Sequence, residues 1–281
     1  MNATAPQYAI EPSHKPTYTI IEGNEGIERY VQRSSWRDAP RTIRQGLRLL
    51  QLQKGDLDEH NDKVIAGLEE EDKVLVYGHG IGLSGNIFAP VIPLARAREY
   101  KLIAPTYRDE TDSKVALNSH FKPVLEQVAE KGAHVHGLIG HSTAADHFRD
   151  GLLYDPELKA YVTENQTKVV LSAANTNGAK PLNFWQRFLK SVGEWHDMDD
   201  ITTSEGLQRN VALRKPLRKE LKDLVTTVTC TRDQLMPPHQ GSDPFGTNVI
   251  VEGYGHVLGC MAPEMHELYI DIVEGLIEQQ L

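Results

Sequence analysis

The sequence predicts an α/β protein, a largely parallel sheet wrapped by helices, and three observations carry that expectation. From Lys73 onward, short apolar runs alternate with helical patterns. One of these runs enters a Gly-x-Ser-x-small turn at Ser142, an arrangement that lifts a serine hydroxyl above a parallel sheet. Asp233 and His256 each stand just beyond a later run.

The runs are 73–77, 101–104, 134–139, 168–172, 224–230 and 248–252. Between the second and third, Val115, Leu117, Phe121, Val124, Leu125 and Val128 recur at helical spacing and end at Lys131-Gly132, a helix stop, so this connection is a crossover helix. After the last run Pro263 opens a helix whose Met265, Leu268, Ile272, Val273 and Leu276 form one apolar stripe, with Glu264 and Glu267 near its positive end. That helix should close the sheet. The stretch 177–223 is far longer than a usual connection and carries Phe184, Trp185, Phe188, Leu189, Val192 and Trp195. It reads as a helical cap, in which an aromatic stripe can serve both as packing surface and as pocket wall.

The expected organisation is an N-terminal arm over 1–72, a core formed by 73–176 and 224–281, and the cap between them. In the arm, 17–21 and 27–31 read as leading strands, followed by a helix over 40–53. That helix sets Ile43, Leu47 and Leu50 against Arg41, Arg44 and Arg48. Three arginines are too few for firm membrane attachment, so this face reads as a solvated cationic surface.

A chain of 281 residues can bury a large core without disulfides. The formal charge of -9 argues against a general nucleic-acid binder, which needs a surplus of Lys and Arg to neutralise phosphates. The first residues hold no apolar signal core, and no run approaches the ~18 apolar residues of a membrane span, so a soluble, cytoplasmic protein is expected. The two cysteines, Cys230 and Cys260, flank the stretch that holds Asp233 and His256 and are either reduced thiols or a single bridge.

Ser142 is the candidate nucleophile. The sharp strand-to-helix turn needs small neighbours, supplied by Gly140 and Ala144. A serine nucleophile needs an imidazole to take its proton, and the imidazole needs a carboxylate to fix its tautomer; His256 and Asp233 match both needs. Asp243, before Pro244 in a turn, and Glu252, close to His256 along the strand end, rank below Asp233 as the acid. Upstream, 73–77 runs into Gly78-His79-Gly80-Ile81-Gly82. Acyl transfer needs backbone N–H groups aimed at the developing oxyanion, and the Ile81 and Thr143 amides are the candidates.

Taken together these motifs resemble the α/β-hydrolase superfamily, in its serine esterase and lipase-like branch. The resemblance runs from about Lys73 to the C-terminus through His79-Gly80, Gly140-His141-Ser142-Thr143-Ala144, Asp233-Gln234-Leu235-Met236-Pro237-Pro238 and Gly255-His256. It implies a Ser-Asp-His triad over an eight-stranded, mostly parallel sheet, with a cap inserted after the sixth strand that shapes the substrate pocket. By that resemblance 177–223 is the cap, in which Phe184, Trp185 and Phe188 are the candidate pocket residues; no cofactor and no metal is assigned. Ala144 in place of glycine and the long N-terminal arm depart from the pattern.

Three other readings compete. Gly80, Gly82 and Gly85 satisfy a dinucleotide fingerprint after a strand, which would make the chain an NAD(P)-binding enzyme, but Pro105 stands where a ribose-binding acid should end the next strand. His134, His136, His141 and His147 suggest a metal, yet lack a close acidic partner; the first two read as packing residues along a strand. A non-catalytic ligand receptor on a hydrolase scaffold is the third. The leading expectation is hydrolysis of a small-molecule carboxylic ester with an apolar acyl or aromatic group. Thioesters, lactones and acyl transfer use similar machinery.

Overall fold

The computed structural model describes residues 15–23, 25–30, 57–80, 83–107, 110, 112–174, 219–233, 238–244, 246–256, 259 and 262–277. Within them seven strands form one sheet: β1 (Tyr18–Glu22), β2 (Lys73–Gly78), β3 (Tyr100–Ile103), β4 (His134–His141), β5 (Lys168–Ser172), β6 (Val225–Cys230) and β7 (Thr247–Val251). Their order is β1-β7-β6-β5-β4-β2-β3, parallel throughout except that β1 runs antiparallel to β7. Each of the six apolar runs coincides with a strand to within one or two residues. The resemblance implies eight strands; seven lie among the described residues.

Helices cover both faces: α1 (Leu57–Ala66), α2 (Ile92–Ala97), α3 (Ser113–Ala116), α4 (Lys122–Glu130), α5 (Thr143–Tyr154), α6 (Pro156–Glu164), α7 (Pro238–Gly241) and α8 (Pro263–Val273). Side chains alternate across a strand, so Leu75 and Tyr77 of β2 join one apolar layer with Met265, Leu268 and Tyr269 of α8. Val74 and Val76 join the other, with Phe121, Leu125 and Phe148. Both faces are therefore dry, which is why β2, β5 and β7 carry unbroken Val/Ile/Leu stretches rather than a polar-apolar alternation. Phe148 is fully buried, and truncating it to alanine should cost about 3–5 kcal/mol.

The crossover helix is two helices, α3 and α4, joined by a π-helical turn over Leu117–Phe121. Asp112 caps its start, accepting hydrogen bonds from the amides of Lys114 and Val115 at 2.8 and 3.2 Å. Gly132, at φ 72°, follows its end, as the Lys131-Gly132 stop implies. Val115, expected on the buried stripe, is exposed. Helix α8 buries Met265, Leu268, Ile272 and Val273 as expected, but stops one turn short of the predicted stripe. Gly275 takes φ 71°, turning the chain out of the helix, and Leu276 beyond it is exposed.

In the N-terminal arm β1 joins the sheet edge, close to the expected 17–21. The second expected strand, 27–31, is instead a 3-10 turn over Ile27–Tyr30. Gly23 and Gly26, both at φ 73°, turn the chain between the end of β1 and this segment, and Ile27, 1% exposed, anchors the turn. The predicted helix over 40–53 and the core of the cap, 175–218, lie outside the described residues. The far end of the predicted cap holds a 3-10 turn over Lys219–Leu221 that buries Leu221. No helix among the described residues is long and apolar enough to cross a membrane.

Strand β2 lies between β3 and β4. From β2 the chain steps outward to β3, then returns to the other side of β2 to form β4 and proceeds through β5, β6 and β7. The loops leaving the carboxyl ends of β2 and β4 therefore diverge, and the crevice between them is where open α/β sheets hold their ligands.

Candidate active site

Ser142 is the single residue between the end of β4 and the start of α5, with φ 55° and ψ -116°. That conformation is rare for a residue with a side chain and stores about 1–3 kcal/mol of strain. The neighbourhood holds it in place: the Ser142 amide donates to the Ser172 carbonyl at 2.8 Å, and its own carbonyl accepts from the Asp146 amide at 3.2 Å. The helix packs closely on the sheet because Gly140 leaves room. A Cβ there would stand 2.7 Å from the Ala145 nitrogen. The departure at Ala144 has a local answer. Its Cβ lies where a Cβ on Gly78 would come within 2.5 Å, so a missing side chain on β2 accommodates the methyl group on α5. The Thr143 amide is the first of α5, one of the N–H groups a helix start leaves without an intrahelical acceptor.

The loop after β2 approaches Ser142 directly: a Cβ on Gly80 would lie 3.2 Å from that of Ser142. His79 is fully buried, and its hydrogen bonds define one tautomer. Nδ1–H donates to the Gly80 carbonyl at 2.8 Å, and Nε2 accepts the Tyr107 amide at 3.1 Å. The Tyr107 hydroxyl donates back to the His79 carbonyl, and the two rings stack at 4.0 Å. Burial is the main reason His79 is pulled down to about 4, so the ring is neutral. Tyr107, in the loop after β3, thus clamps this loop from behind, and itself packs on Phe121 of the π turn at 5.2 Å.

In the loop after β7, His256 Nδ1–H donates to Asp233 Oδ2 at 2.8 Å. Side-chain exposure is 1% for Asp233 and 16% for His256, so the carboxylate is sealed while the imidazole keeps an open edge. Burial alone would lower His256, but the charge and hydrogen bond of Asp233, with the charge of Asp146, outweigh it and raise the imidazole above its ordinary value. Asp146 stands one helical turn after Ser142 and is buried. The His256 ring lies 4.9 Å from that of His141, the residue before Ser142. Among the described residues Ser142 Oγ makes no hydrogen bond with His256.

The structure thus brings together Ser142, Thr143, Asp233 and His256; Ile81, Cys260, Phe184, Trp185 and Phe188 lie outside the described residues. Of the other candidate acids, Asp243 faces the buried Arg149 guanidinium at 3.5 Å and Glu252 is exposed. Gly85, third glycine of the fingerprint, is required by packing: a Cβ would stand 2.1 Å from the Ala104 carbonyl oxygen. It opens a 3-10 stretch, Gly85–Val91, instead of the α-helical N-terminus on which a pyrophosphate rests. His134 is an exposed strand residue 3.6 Å from Glu71, not the packing residue expected, while His136 packs edge-on against Tyr100. Three residues that support the site are not legible in the sequence as such: Tyr107, Asp146 and Ser172. For Asp146 alone a signal existed, its spacing of one helical turn from Ser142.

The chain has the α/β-hydrolase fold. In structure it is similar to a soluble variant of monoglyceride lipase from Saccharomyces cerevisiae, solved with a substrate analogue, at 11% identity over 75% of this chain and 87% of the other, TM-score 0.50. Further similar structures are a monoacylglycerol lipase of Paleococcus ferrophilus (15% identity, 74% and 95% covered, TM-score 0.47) and a bromoperoxidase of Bacillus anthracis (17%, 73% and 93%, 0.45). At such identities the likeness is one of fold. No family model matches the chain, and no curated protein matches it in sequence.

Proposed function

We propose that this chain is a serine hydrolase acting on small-molecule carboxylic esters. Ser142 Oγ attacks the ester carbonyl while His256 Nε2 takes its proton; the proton then passes to the departing alcohol, and water clears the acyl-enzyme with His256 again as base. Asp233 holds the tautomer that leaves Nε2 free to accept. The Thr143 N–H, with that of Ile81, stabilises the oxyanion. The observation that carries this reading is the strained Ser142, at the switch point of the sheet, next in the chain to His141, whose ring lies 4.9 Å from an imidazole already hydrogen-bonded to a sealed carboxylate. A loose contact between nucleophile and base is common before substrate binds, so an unmade Ser142–His256 bond is compatible with the roles assigned. The stretch 177–223 is proposed as the cap, with Phe184, Trp185 and Phe188 turned to an apolar acyl or aromatic group.

The test is labelling with a fluorophosphonate, mapping of the modified peptide, and assay of an ester series. Modification of Ser142 with matching loss of turnover is expected, and Ser142→Ala should lower kcat by on the order of 10⁴-fold or more. Folded protein that neither labels nor turns over any ester would overturn the reading.

A further inference from the structure

A chain of hydrogen bonds links the residue before Ser142 to the loop that carries His256, and its donors can be assigned by elimination. The Tyr269 hydroxyl donates to the Gly259 carbonyl at 2.7 Å, which uses its only proton. Ser172 Oγ, 2.7 Å from the same phenol, must therefore be the donor in that contact. With the serine proton committed, the 3.3 Å contact between Ser172 Oγ and His141 Nδ1 is made by a proton on nitrogen. The order is His141 Nδ1–H to Ser172 O–H to Tyr269 O–H to the Gly259 carbonyl. Each link is buried.

Both ends of this chain meet the site. At one end His141 lies beside His256, and β5 also receives the Ser142 amide through the Ser172 carbonyl. At the other, the Gly259 amide donates to the Gly255 carbonyl at 2.9 Å, closing the turn that contains His256. We propose that Tyr269 is a positioning residue for His256, anchoring the histidine turn to α8 and β5 and holding His141 as a neutral Nδ1–H ring beside it. The inference rests on the hydrolase reading for its catalytic consequence, but not for the bonding order. A second positive ring at His141 would oppose the imidazolium that His256 forms during attack. Burial, with the nearby His256 and His266, keeps His141 well below the ordinary imidazole value. Among the described residues, the groups facing His256 are Asp233 from the loop after β6, Asp146 from α5 and His141 from the end of β4.

The test uses the full chain with ¹⁵N-labelled histidine, and long-range proton-nitrogen spectra from about pH 5 to about pH 8. In the wild type His141 should give one neutral tautomer, protonated at Nδ1, across that range. Tyr269→Phe should mix the His141 tautomers and move the His256 titration; kcat should fall roughly tenfold with KM nearly unchanged. Ser172→Ala breaks the same chain at another link and carries the test should Tyr269→Phe fail to fold. The double variant should lose no more than the worse single one. An Nε2–H tautomer at His141 in the wild type would overturn the inference. So would single variants with unmoved titrations and rates, or losses that multiply. A wild type without ester turnover or Ser142 labelling would sink the hydrolase reading instead, while the imidazole spectra still decide the bonding order.

Discussion

His79, in the loop after β2, and His256, in the loop after β7, are both largely withdrawn from water, yet their surroundings drive them in opposite directions. Among the described residues His79 meets a carbonyl, an amide and a stacked phenol, with no carboxylate in hydrogen-bonding contact to repay burial of a charge; burial, with the nearby His120, takes it to about 4. His256 meets the sealed carboxylate of Asp233 at 2.8 Å and rises. Burial acts on both with the same sign; the partner decides the outcome. The loop after β2 thus carries a neutral imidazole held by backbone groups, and the loop after β7 an imidazole tuned by charge. The hydrolysis proposed above calls for both, since an oxyanion needs fixed dipoles and proton transfer a group that can change its state.

The sharpest way to break the contrast is to take the carboxylate from His256. In Asp233→Asn the side-chain amide can donate to Nδ1, which drives the proton to Nε2 and leaves the ring unable to accept from Ser142. We expect kcat to fall about 10⁴-fold with the fold intact. His256 should also lose its upward shift, so the acid limb of the residual activity should move to lower pH. In the wild type that limb should lie above the ordinary imidazole value of 6.5, because activity needs the neutral ring. A pH-rate profile with the same limb in both proteins would show that Asp233 does not set the base.

A smaller effect separates the two histidines through stability. A histidine held below its unfolded value stabilises the protein fully above pH 6.5 and loses that contribution as pH falls toward the folded value, here about 4 for His79. His79 alone accounts for about 3 kcal/mol lost across that window. His141 adds to the loss in the same direction. His256 does the reverse: its contribution is present below 6.5 and disappears as pH rises through its raised value. Urea titrations across the window should show the wild type weakening on acidification, and His79→Gln, which has no ring to protonate, should weaken less. Equal slopes would mean that His79 is charged in the folded protein.

The sequence announced the parts of this site that are local. Ser142, Asp233 and His256 each follow an apolar run directly, and a strand end plus one loop is enough to place them. The local pattern over 27–31 reads as a strand from its apolar start and misses the turns taken at Gly23 and Gly26. The supporting residues were illegible for a different reason. Tyr107 reaches His79 across 28 positions and Tyr269 reaches Ser172 across 97, so their roles exist only once the sheet is assembled. Ala144 shows the same limit from the other side: its fit depends on an absent side chain at Gly78, on a neighbouring strand.

The finest test of the contrast concerns Tyr107. Its phenol proton holds the His79 carbonyl, while its amide and ring hold the imidazole. Tyr107→Phe removes only the first of these and should cost about 1 kcal/mol of stability. Because it loosens the loop that approaches Ser142, without touching His256, the proposed mechanism expects kcat to fall by roughly tenfold, less than loss of a whole oxyanion donor. The acid limb of the rate profile should stay in place. Asp146 is the group that could defeat this separation, since its charge reaches both Tyr107 and His256. Were the limb to move in Tyr107→Phe, the two loops would be coupled through Asp146, and their imidazoles would have to be treated as one network.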